Sequence, residues 1–277
     1  MKVIRETCIA GAVVERSIKV SNRYLSKGER RKPRTNITRD AVQKNNDRIA
    51  AKCLARVLNA NFYPGDWHQV LTYSIEPTPE EAKRYLNNFL NRMKREYKKA
   101  GKEFKCIAVT EYRHKRIHHH IVCPYLDLKI FNDQWKEGWI RPSALGKHRN
   151  YYKLANYLIK ETSKSFREPE AVFKKRYSAR GKLVKPIIKR EVVSASELFV
   201  NDPKPLKGYQ VERDTLRRYE HPYTGLEYFE FMMISTEEVP RLKQWRRGKI
   251  VKTYESLRRL EELKQLEYCY EDYEILI

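Results

Sequence analysis

Chemistry is concentrated in the segment Thr110-Glu111-Tyr112-Arg113-His114-Lys115-Arg116-Ile117-His118-His119-His120-Ile121-Val122. In an extended strand alternate side chains share a face, so His118 and His120 project together and His119 points away. If Arg113–Arg116 make a four-residue loop, Tyr112 pairs with Ile117 and Glu111 falls directly opposite His118. Cross-strand neighbours have Cβ atoms about 5 Å apart, so one carboxylate and two imidazoles can meet a single divalent cation. A two-His, one-carboxylate site leaves coordination positions open for water or a phosphate oxygen, as metal-assisted catalysis requires. A structural zinc site fits less well, because no fourth protein ligand with suitable spacing is evident. Histidines in a strand can also be a packed structural pair, and that reading stays open on spacing alone.

A second chemical candidate follows at Asn150–Glu161, where Lys153, Tyr157, Lys160 and Lys164 recur at helical spacing on one stripe. A phenol with its ordinary pKa near 10 is a poor nucleophile, so it needs cationic neighbours or a polarised electrophile to attack a phosphodiester. Lys160, one turn on, can stabilise the charge that develops. Tyr157 also shares helical spacing with Leu154 and Leu158, the pattern of an ordinary core aromatic. Arg113, Lys115 and Arg116 in the loop, with Lys153 and Lys164 on the helix, are candidates for holding nucleic acid.

These residues need a strand pair and a helix beside it, and the flanking sequence supplies both. Phe104–Tyr112 and Ile117–Cys123 have β-type composition, and His68–Ser74 reads as a third strand. Thr78 and Glu81 make a capping box around Pro79, and Ala82, Tyr85, Leu86, Phe89, Leu90, Met93 and Tyr97 form one apolar face until Gly101. An earlier helix, capped by Thr38, is marked by Ile49, Cys53, Leu54, Val57 and Leu58. A helix over Leu128–Lys136, a short strand near Trp139–Arg141 and a helix over Asn150–Thr162 come next. Residues 166–190 read as basic and irregular. Near Asn201-Asp202-Pro203 the composition changes, and a hairpin around residues 221–225 precedes a helix with Leu257, Leu260, Leu263 and Leu266. The expected division is a basic arm and helix over 1–62, a central domain over 63–199, and a C-terminal hairpin and helix over 200–277.

The 277 residues carry 58 Lys+Arg against 35 Asp+Glu, a formal charge of +23 that points to a polyanionic partner. Nineteen tyrosines interleaved with this charge suit stacking on exposed bases. Five scattered cysteines include no CxxC pair, which argues against a zinc ribbon or disulfide framework. No apolar run approaches the ~18 residues of a membrane span, and Glu6 and Glu15 interrupt the apolar N-terminal stretch, so a cytoplasmic location is expected.

In order and spacing these motifs resemble the HUH endonucleases, especially the replication initiators of rolling-circle plasmids and phages. Ile117-His118-His119-His120-Ile121-Val122 is similar to the His-hydrophobe-His strand, with His119 where an apolar residue usually stands. Glu111 matches the acidic third ligand, Tyr157-Leu158-Ile159-Lys160 the tyrosine motif, and Val70-Leu71-Thr72-Tyr73 the first strand motif. The likeness spans about residues 40–165 and weakens beyond. It implies an α+β fold related to the ferredoxin-like folds, whose central antiparallel sheet carries the His strand between flanking helices. It also implies Mg²⁺ or Mn²⁺ at Glu111, His118 and His120, and attack by Tyr157 on single-stranded origin DNA. The product would be a 5′-phosphotyrosine and a free 3′-OH, with a host helicase and polymerase acting afterwards. A single-tyrosine transposase or relaxase would share these motifs, and a non-catalytic DNA- or RNA-binding regulator is the alternative of another class.

Overall fold

The computed structural model describes residues 2–21, 39–112, 116–162, 172–220 and 225–237. In chain order the strands are β1 (Lys2–Ala10), β2 (Val13–Ser21), β3 (Trp67–Thr72), β4 (Cys106–Glu111), β5 (His118–Cys123), β6 (Ile140–Ala144), β7 (Ser178–Arg180), β8 (Ile187–Val193), β9 (Tyr209–Glu220) and β10 (Glu227–Ser235). The helices are α1 (Arg39–Asn61), α2 (Pro79–Lys99), α3 (Leu128–Gln134) and α4 (Tyr152–Thr162). The fold is α+β, as expected, but it contains two antiparallel five-stranded sheets. Of the basic arm and helix expected over 1–62, residues 2–21 form β1 and β2 instead of an arm, while residues 22–38, like the expected last helix, lie outside the described residues.

One sheet has the order β6-β3-β5-β4-β7, which puts the histidine strand in the centre. Its two faces bury different cores. Leu71, Ile121 and Cys123 face α2, whose Leu86, Phe89, Leu90, Met93 and Tyr97 are buried against them. Ile107, Val109 and Val122 point the other way, onto Leu54 and Leu58 of α1 and Ala155, Leu158 and Ile159 of α4. The capping box of α2 forms as expected, with Thr78 Oγ1 accepting from the Glu81 amide and the Glu81 carboxylate accepting from the Thr78 amide.

The second sheet, β8-β1-β2-β10-β9, joins segments far apart in sequence. Its N-terminal hairpin and β8 are not evident as strands from sequence, because charged side chains interrupt their apolar alternation. Those charges are matched inside the protein. Arg56 of α1 reaches Glu6 and Glu15 at 3.0 and 2.9 Å, and Arg190 of β8 reaches Glu6 at 2.9 Å. Lys52 pairs with Glu15 and with Glu230 of β10. Helix α1 therefore buries an apolar side against the first sheet and sets a charged side against the second.

Candidate active site

The register of β4 and β5 pairs Glu111 with His118, Thr110 with His119 and Val109 with His120. Period-2 alternation then sets Glu111, His118 and His120 on the face shared with α1 and α4, where the apolar cover ends. One ligand atom from each of the three lies within 4.8 Å of the others. Glu111 and His120 are buried and His118 is half-buried.

Hydrogen bonds orient these rings. His118 Nδ1 lies 2.8 Å from the Arg116 carbonyl, which only accepts, so Nδ1 carries the hydrogen and Nε2 faces Glu111 Oε2 at 3.0 Å. An imidazole lone pair and a carboxylate oxygen at that separation need a proton or a cation between them. A divalent ion suits this carboxylate and imidazole set.

His68 joins the site unannounced by the sequence. Its Nε2 lies 3.2 Å from His120 Nδ1, and the two rings stack with centroids 5.3 Å apart. Burial lowers the His68 pKa, favouring a neutral ring. If His120 Nδ1–H donates to His68, His120 Nε2 is left with a lone pair for a metal, an orienting contact common behind metal-bound imidazoles. Alternation alone places His68 with Val70 and Thr72 on one face. The missing signal is the pairing of β3 with β5, which sets Val70 opposite His120.

His119 has the structural role that spacing alone left open for these histidines. It is fully buried toward α2, with Tyr73 Oη 2.7 Å from Nε2 and Thr110 Oγ1 2.8 Å from Nδ1. Burial, then its neighbours His118 and His120, holds its pKa down to about 3 and its ring neutral. Two well-placed hydroxyls make a polar residue tolerable where related strands carry an apolar one.

Tyr157 stands beside the cluster. Its ring meets the His120 ring edge-on with centroids 5.4 Å apart, and 43% of its surface is exposed, so it is not the core aromatic that its spacing allowed. Tyr151 is buried among the residues of α1 and α4, and Tyr152 is packed against the same core. Lys153 and Lys160 are exposed on the helix that carries Tyr157. Arg116 turns back on its own sheet end, 3.2 Å from Glu76 and 3.3 Å from the carbonyls of Tyr73 and Ser74. Arg113, Lys115 and Lys164 lie outside the described residues.

An α+β fold with an acid and two alternate histidines on adjacent central strands is consistent with the HUH class. Residues 67–166 match a family model, that of the replication-associated protein ORF2, over a span that begins at β3 and ends just past α4. That match covers the elements holding Glu111, His118, His120 and Tyr157. Neither a curated protein nor a solved structure matches the chain. Among the described residues no helix is long and apolar enough to cross a membrane.

Proposed function

We propose that the protein is a rolling-circle replication initiator that nicks and rejoins single-stranded origin DNA through Tyr157. The observation that carries this reading is the exposed Tyr157 ring, 5.4 Å from His120 at the edge of the Glu111/His118/His120 cluster. Glu111, His118 and His120 would hold Mg²⁺ or Mn²⁺, which when bound polarises the scissile phosphate. Tyr157 Oη bonds to phosphorus while the P–O3′ bond breaks; the phenolic proton passes to solvent and the departing 3′ oxygen takes up a proton. The products are a 5′-phosphotyrosine and a 3′-OH that a host polymerase, following a host helicase, can extend in the cytoplasm. Because the phosphodiester energy is kept in the tyrosine ester, a later 3′-OH can reverse the step and reseal the strand. Lys160, and Lys153 one turn before Tyr157, offer positive charge for the phenolate and the strand. Transposases and relaxases with one tyrosine use the same chemistry, but the match to a replication-associated family favours initiation.

The test is cleavage of a labelled single-stranded origin oligonucleotide with Mn²⁺. A covalent adduct is expected, abolished by EDTA and by the double variant His118→Ala/His120→Ala, which should keep most of its DNA affinity. Full nicking by that double variant would refute the metal site.

A further inference from the structure

The face that carries the cluster continues past it. Thr72 of β3 lies opposite His118, and Trp139 exchanges both backbone hydrogen bonds with Thr72 at 2.9 and 3.2 Å. Arg141 of β6 pairs in turn with Val70, which lies opposite His120. Directly opposed residues share a face. Ile140, between Trp139 and Arg141, packs into the core on the α2 side, so its two neighbours stand on the cluster's side. Trp139 is 63% exposed, a large apolar ring that folding leaves in water, and Arg141 is exposed beside it.

The indole is nonetheless carried on fixed backbone. Ser74 donates to the Glu137 carbonyl at 2.9 Å, and at Gly138 a Cβ would come within 2.2 Å of the Thr72 carbonyl oxygen and 2.8 Å of Tyr73 Cα. Only glycine permits so close an approach. An exposed tryptophan on a tightly docked segment, next to an arginine, suits a base and its phosphate, since stacking accepts any base and guanidinium holds the backbone. With strands about 4.8 Å apart, the row of Trp139 lies two strands, or about 10 Å, from that of His118. A single strand bridges that distance within a few nucleotides.

We infer that Trp139 and Arg141 form a stacking and phosphate-binding subsite for single-stranded DNA, fixing a nucleotide flanking the scissile phosphate on the cluster's face. The inference rests on the nuclease reading for the identity of the strand but not on its chemistry. Binding of labelled oligothymidylate, measured by anisotropy in EDTA so that no cleavage occurs, tests it. Stacking is worth roughly 1–3 kcal/mol per base, so Trp139→Ala should weaken binding by roughly 5- to 150-fold, while Trp139→Phe recovers much of it. Arg141→Gln should weaken binding and flatten its salt dependence by about one phosphate contact. A 2-aminopurine placed at successive positions of the strand should be quenched by the wild type and relieved in Trp139→Ala. Unchanged affinity in Trp139→Ala, with no relief at any position, would overturn the subsite. The Tyr157 reading is judged separately, by adduct formation with Mn²⁺. Loss of that adduct with the affinity differences intact would remove the nuclease and leave the subsite standing.

Discussion

Three adjacent histidines have three different environments. His118 and His120 face the site, while His119 is sealed between Tyr73 and Thr110. His68 bears on metal binding, because its Nε2 lies 3.2 Å from His120 Nδ1 and orients that ring. Replacing an orienting partner of a metal-bound histidine typically costs about 10–100-fold in metal affinity. His68→Ala should therefore bind Mn²⁺ about that much more weakly by calorimetry while keeping its thermal stability within a few degrees. Unaltered Mn²⁺ affinity would show that His120 is oriented without it. Glu111 opposite His118 is legible from alternation and a short loop; His68 is not, because its contact depends on which strand lies next to β5.

At the scale of elements, local signals read well and non-local ones do not. The cap of α2, the β4–β5 hairpin and the extent of α4 are written in a few neighbouring residues. The N-terminal hairpin is not, because charged side chains stand among its inward positions and their partners lie on α1, β8 and β10. Arg56 holds two of those carboxylates and is itself buried. Removing one partner of a buried ion pair costs about 3–5 kcal/mol when the other charge is stranded; with Arg190 still on Glu6 and Lys52 still on Glu15, about 2–3 kcal/mol is expected. Urea unfolding of Arg56→Met should show a loss of that order, whereas a loss under about 1 kcal/mol, the range of exposed pairs, would mean that α1 is held by its apolar side alone.

For the molecule as a whole, the same buried charges tie stability to pH. Burial raises the Glu6 pKa, but Lys19, Arg56, Arg190 and Lys52 outweigh it and hold the carboxyl at about 2 against its ordinary 4.5. The unfolded chain therefore binds this proton first as pH falls. The contribution of Glu6 is complete above pH 4.5 and is lost as pH drops from there toward 2, on the order of 3 kcal/mol in all. Unfolding free energies should separate wild type from Glu6→Gln near neutrality and converge in acid; parallel pH profiles would contradict this. The net charge of +23 is plain in the sequence, but not that several of the acids are paired inside, where they join the second sheet to α1.

One phenol must take the phosphate. After reaction with a single-stranded origin oligonucleotide and Mn²⁺, nuclease trimming, proteolysis and mass spectrometry should find a nucleotide on Tyr157, with no adduct in Tyr157→Phe. A nucleotide on Tyr151 or Tyr152, or an undiminished adduct in Tyr157→Phe, would contradict it.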